Sequence, residues 1–179
     1  MQVKVKENAT QLWAYTKGAI NPVQTFALPT ETWFAEIADF SGMVYCSKAV
    51  NIAGQDKVTA SVEGITAGVR LQIFDSNGTL AGKAIKSVTI ESAEAEDYLV
   101  GNVALNFWRP GIPEVSEGKA DVTIHAMTAD NANSTLSMGT AAEPAEVGAV
   151  VLPCTFKGKV TVAGDGFSFV KEINTPIAL

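Results

Sequence analysis

A single histidine, two cysteines and a charged fraction of only 18% leave this sequence short of the side chains from which most active sites are built. Zinc sites draw on several His or Cys ligands, and neither C-x-x-C nor H-E-x-x-H spacing occurs. His125 stands between Ile124 and Ala126 in an alternating run and reads as a satisfied or exposed strand residue. A Ser-His-Asp or Cys-His arrangement would need a serine, Cys46 or Cys154 to meet His125 in space, and no local spacing points that way. Phosphate-cradling loops are missing as well. Gly164-Asp165-Gly166 lies between two extended runs and not between a strand and a helix. The acidic group Glu91, Glu94, Glu96 and Asp97 lacks the regular oxygen spacing of a calcium loop and reads as a solvated helix start. No catalytic, cofactor-binding or metal-ligating residue is therefore assigned, no cofactor is expected, and the chain is expected not to be an enzyme.

Basic charge is scarce too. Thirteen Lys and Arg face nineteen Asp and Glu, a net charge of −6 and a pI near 4.8. Such a chain does not gather phosphates by long-range attraction, which argues against sequence-specific binding of DNA or RNA. No Lys/Arg cluster marks a membrane-surface contact. No apolar run approaches the ~18 residues of a membrane-spanning helix. The opening Met-Gln-Val-Lys-Val-Lys-Glu-Asn has no apolar h-region, so no signal peptide is expected unless one has been cut away. Cys46 and Cys154, far apart in sequence, are either two buried thiols or one long-range disulfide. Without a signal peptide, thiols are favoured. The sequons at Asn8, Asn77 and Asn133 matter only in a secretory pathway.

What the chain has is apolar residues, 47% of it, arranged with period two. Val3 and Val5 alternate within Gln2 to Lys6. Val58 to Val62 alternates around Ala60. Val69, Leu71 and Ile73 alternate with Arg70, Gln72 and Phe74. Asp75-Ser76-Asn77-Gly78 then breaks the run, and Asn-Gly predicts a type I′ hairpin. Ile85 to Ile90, Val103 to Trp108, Ala120 to Met127, Val150 to Val162 and Gly166 to Val170 read as further extended pieces. Arg109-Pro110-Gly111 marks a turn. A second hairpin is expected at Ala163-Gly164-Asp165-Gly166. Two segments carry helix signals: Thr30 to Phe40, and Ser92 to Val100, where Ser92 can cap and the acids fall in the first turn. Asn131 to Gly148, rich in small residues and without a clear period, is expected as a long loop or arm.

The fold class expected is all-β and mainly antiparallel, a β-sandwich or barrel-like fold with one or two short helices. A single domain over residues 1–179 is expected, with the arm at about 131–148. A low charge fraction with a mean hydropathy of +0.17 fits either a large core or apolar surface covered by a partner. Phe107 and Trp108 stand side by side before Pro110. Adjacent strand residues point to opposite faces, so one of the two faces away from the core. Phe107 and Trp108 are the candidate protein-contact residues, and the outward ring serves as a contact anchor, a sugar platform or a loop-covered residue.

Thr10-Gln11-Leu12-Trp13-Ala14-Tyr15, followed by a polar loop and Trp33-Phe34-Ala35-Glu36-Ile37-Ala38-Asp39-Phe40-Ser41-Gly42, resembles the opening of the major tail (tail-tube) proteins of long-tailed bacteriophages. Phe156-Lys157-Gly158-Lys159-Val160-Thr161 before the Asp165 turn is similar to their closing hairpin. The resemblance covers about a third of the chain, and none of it falls in the middle, from Asn51 to Gly148. It implies a virion structural subunit, made in the host cytoplasm and self-assembling into stacked rings. Its partners would be copies of itself and other virion proteins. DNA would pass without specific contact down an acidic lumen, and no membrane is involved. The alternatives are a capsid decoration protein, or a secreted adhesin, pilin or carbohydrate-binding β-sandwich.

Overall fold

The computed structural model describes residues 11–12, 23–33, 43–47, 50–55, 57–59, 61–106, 113–126 and 136–179. Alternating apolar residues dominate them, and they form strands and no helix. In chain order these are β1 (Gln11–Leu12), β2 (Val23–Leu28), β3 (Glu31–Trp33), β4 (Tyr45–Ser47), β5 (Val50–Asn51), β6 (Val62–Gly64), β7 (Ala67–Ile73), β8 (Ala84–Ser92), β9 (Val100–Asn106), β10 (Glu114–Lys119), β11 (Asp121–His125), β12 (Leu136–Ser137), β13 (Ala145–Val151), β14 (Thr155–Gly164) and β15 (Phe167–Ala178).

The largest sheet runs β15-β14-β8-β11-β3. Every pairing in it is antiparallel except β11 with β3. β12 also pairs with β8, at Ile85, just beyond the stretch taken by β11. Since β14 occupies the other side of β8, β11 and β12 share one edge of it. Period two sorts the side chains. Val88 and Ile90 of β8, Val122 and Ile124 of β11, and Phe156, Val160 and Val162 of β14 point inward and are buried. A bulge where Ala163 pairs Ser87 but Gly164 pairs Ile85 leaves Lys86 as the extra residue. Ile85 therefore reaches the same face as Val88 despite the odd spacing.

The inner face is covered by β10-β9-β2 and by the β7–β13 pair. They contribute Leu28, Val103 and Leu105, and Ile73, Val147, Ala149 and Val151, to one contiguous core. The arrangement is an open sandwich, with sheets not closed into a barrel. Close backbone approaches fix where glycine must stand. A Cβ at Gly158 would run into the Glu91 carbonyl, and one at Gly118 would enter the Tyr98 ring. Beside Gly118, Glu117 takes φ +54° at a bulge in β10, and its carboxylate accepts a hydrogen bond from Asn102 (2.7 Å).

Several expectations are corrected. Ser92 to Val100 is not a helix. Ser92 ends β8, its N–H donates to the Ala120 carbonyl, and the chain turns before β9. The acids that suit a first helical turn suit an exposed bend equally well. Glu31–Trp33, inside the other helix candidate, is a strand, and residues 34–42 lie outside the described residues. Asp75 to Leu80 is not a type I′ hairpin. Gly78 has φ +71° but Asn77 has no positive φ, and β7 pairs with β13 and not with β8. The Asp75 carboxylate explains this, since it accepts from the N–H groups of Asn77 and Leu80 and from the Thr79 hydroxyl. That grip turns the chain across to the other layer instead of folding it back on itself. Within Asn131 to Gly148, Leu136–Ser137 and the start of β13 are strand, and Leu136, Met138 and Val147 are buried. Small residues (Ala145, Gly148) blur the alternation there.

Candidate functional site

The outer face of the six-stranded sheet is polar, and its rungs follow from the strand registers. One rung reads Glu31–Thr123–Thr89–Thr161–Val170 across β3, β11, β8, β14 and β15. Its centre is tied by a hydrogen bond between the Thr89 and Thr123 hydroxyls (2.9 Å). The next reads Asp121–Glu91–Lys159–Glu172. Here Lys159 Nζ sits 3.0 Å from Glu91 Oε2. Lys159 stands between Glu91 and Glu172 and offsets their charge, as opposite charges on neighbouring strands do, while Asp121 lies opposite the like-charged Glu91. At the third rung His125 is half-buried, with Nε2 3.7 Å from Glu31 Oε2, an ion pair when the ring is protonated. His125 is thus an outer-face strand residue, as its neighbours in sequence implied.

The described side chains of this face pair with one another. Among the described residues, no three His, Cys, Asp or Glu side chains lie close enough to hold a metal ion. Cys46, on β4, and Cys154, just before β14, are both free. Burial raises the Cys46 thiol above its ordinary pKa. Burial and then the nearby Asp97 carboxylate do the same to Cys154. Both thiols are therefore poor nucleophiles at neutral pH. Asp75 is the opposite case, its pKa lowered first by the Leu80 N–H, then by Asn77 and Thr79. Those bonds are internal to the turn, so they shape the chain and leave the carboxylate little to offer a ligand.

What stands out is the sheet margin. β15 pairs with β14 along one side, and among the described residues no strand pairs its other side. Val170 (53% exposed) and Ile177 (47%) lie along this strand, where a large apolar side chain gains nothing from water. Phe167 and Phe169, stacked with ring centroids 6.4 Å apart, anchor its inner face against the core. The sequence signalled the Asp165-Gly166 turn but not how far the last strand runs, because Asn174, Thr175 and Pro176 interrupt its pattern. Phe107, Trp108 and the Arg109-Pro110-Gly111 turn lie outside the described residues, as do Trp13 and most of the phage-like opening.

No protein-family model matches the chain, and no curated protein matches it. A solved structure does: a crystal structure from Bacteroides uniformis ATCC 8492, described as that of a "putative cell adhesion protein". The match covers 94% of this chain and 63% of that one, with a TM-score of 0.53 at 15% identity. The two chains share a fold. This chain spans a little under two thirds of that neighbour's length, and at such low identity the likeness extends to architecture alone.

Proposed function

We propose that this protein is a non-catalytic structural module that works by protein contact at a cell surface, as an adhesin- or pilin-type β-sandwich. The observation that carries the reading is the shared fold across nearly the whole chain with a protein described in terms of cell adhesion. The polar outer face and the exposed margin of β15 support it, because they offer contact surface without a reactive cluster. Cys46 and Cys154 are not bonded, so what joins the layers is the apolar core and not a disulfide. Its partners are copies of itself and other surface proteins. The test is location. Antibody raised against the purified chain should label intact cells, and protease added outside them should remove the label. A chain confined to the cytosolic fraction would sink the reading.

A second reading, a bacteriophage tail-tube subunit, rests on the phage-like segments at Thr10 to Tyr15 and Trp33 to Gly42 and on the closing β14–β15 hairpin. Under it the protein would form stacked rings and let DNA pass non-specifically. Negative-stain microscopy separates the two, with tubes or rings supporting the virion subunit and single particles or pilus-like fibres supporting the surface module.

A further inference from the structure

We infer that the free side of β15 pairs with the same strand of a second copy, antiparallel, about a twofold axis through Val170; the inference deepens the contact-module reading and rests on it. The straight part of β15 runs from Phe167 to Ile173. Beyond it Asn174, Thr175 and Pro176 stand opposite Lys157 alone, because Gly158 pairs Ile173 while Phe156 pairs Ile177. This bulge, with a proline that has no N–H to give, ends regular pairing at Ile173. Along the straight part, every second N–H and C=O points away from β14, which leaves a row of donors and acceptors for another chain.

The twofold also fixes the register. Two copies of one strand can keep their inner and outer faces aligned only if the axis passes through a residue, which then opposes itself. An axis at Val170 pairs all seven residues. Phe167 meets the partner's Ile173, Ser168 meets the partner's Glu172, Phe169 meets the partner's Lys171, and Val170 meets itself. On the inner face an aromatic ring faces an aliphatic side chain at each end, and a lysine lies beside a phenylalanine, where stem and charge both have a use. On the outer face the exposed valine is covered by its copy. No like charges oppose. An axis at Lys171 or Glu172 would set each against itself, and an axis at Phe169 would run the pairing into the Asp165-Gly166 turn. An axis at Ser168 would meet the same turn and one at Ile173 the Pro176 bulge, so the charges and the two ends of the straight stretch together select this one register. The two six-stranded sheets then join into one continuous sheet across the axis.

Sedimentation velocity over a concentration series tests this on the full chain. The wild type should shift towards a dimer as concentration rises. Val170→Lys and Val170→Glu each place like charges on the axis and should weaken association about tenfold or more. An equimolar mixture of the two should restore it, because lysine then faces glutamate. Thermal unfolding of each variant should match the wild type, since the side chain is exposed. Association that survives both single charges, or that fails to return in the mixture, overturns the β15 pairing and leaves the contact-module reading standing. A wild type that stays monomeric at every concentration while intact cells still carry the label overturns the pairing alone. If label and association are both absent, both fall.

Discussion

Single residues in this protein act mostly through the backbone. Gly158 of β14 stands opposite Ser92 of β8, and a methyl group there would collide with the Glu91 carbonyl, which is held in the strand backbone. Gly158→Ala should destabilise the fold by about 3 kcal/mol, at the upper end of overpacking costs, measured by urea unfolding. Asp75 sets an acid limit. Its folded pKa is depressed below the ordinary 3.8, so its contribution is fully present above that value and is lost as pH falls through the lower folded value. Asp75→Asn removes that contribution at neutral pH, so its melting temperature there should be lower than the wild type's and the further fall below pH 4 shallower. The thiols are displaced the other way. Cys46 and Cys154 should alkylate slowly at neutral pH in the native protein and speed up steeply only under alkaline conditions, as followed by mass spectrometry. Rapid labelling at neutral pH would show that burial does not protect them.

Elements were legible where one face is apolar and the other polar. Val69, Leu71 and Ile73 face inward from β7 as their alternation predicted, and β8, β11 and the β14–β15 turn fall where the pattern put them, whereas the run from Val150 to Val162 is not one strand but breaks at Leu152 to Cys154 into β13 and β14, which lie in different sheets. Pairing partners were not legible. The Asn77-Gly78 signal is local, whereas the partner of β7 is β13, over seventy residues away, and a carboxylate two residues before the asparagine decides the turn. The helix signal at Ser92 failed because capping chemistry and bend chemistry use the same residues. The free margin of β15 was hidden because edge status depends on what the rest of the chain leaves uncovered. The segment from Leu136 to Gly148 shows what small residues conceal. Deleting it removes Leu136, Met138 and Val147 from the core and strips β7 of part of its partner. Such a deletion should abolish cooperative unfolding in circular dichroism, whereas a true surface arm could be removed without loss.

At the scale of the whole molecule, two layers enclose one core, and the larger sheet has a polar outer face and a margin that no other described strand pairs. The same sheet contains an interrupted strand. Along one edge of β8, Ala126 donates its N–H to Lys86, and Leu136 takes the next rung at Ile85. Ala126 and Leu136 thus hold successive rungs of one edge although they are not neighbours in sequence. The sequence between them is pinned at both ends by the ladder, so lengthening it leaves the paired rungs in place. Each doubling of its length should lower stability by only ~0.6 kcal/mol, checked by denaturant unfolding of a series with Gly-Ser inserts. The sandwich thereby carries a built-in socket, a position where foreign sequence can be displayed while the scaffold that holds it stays the same.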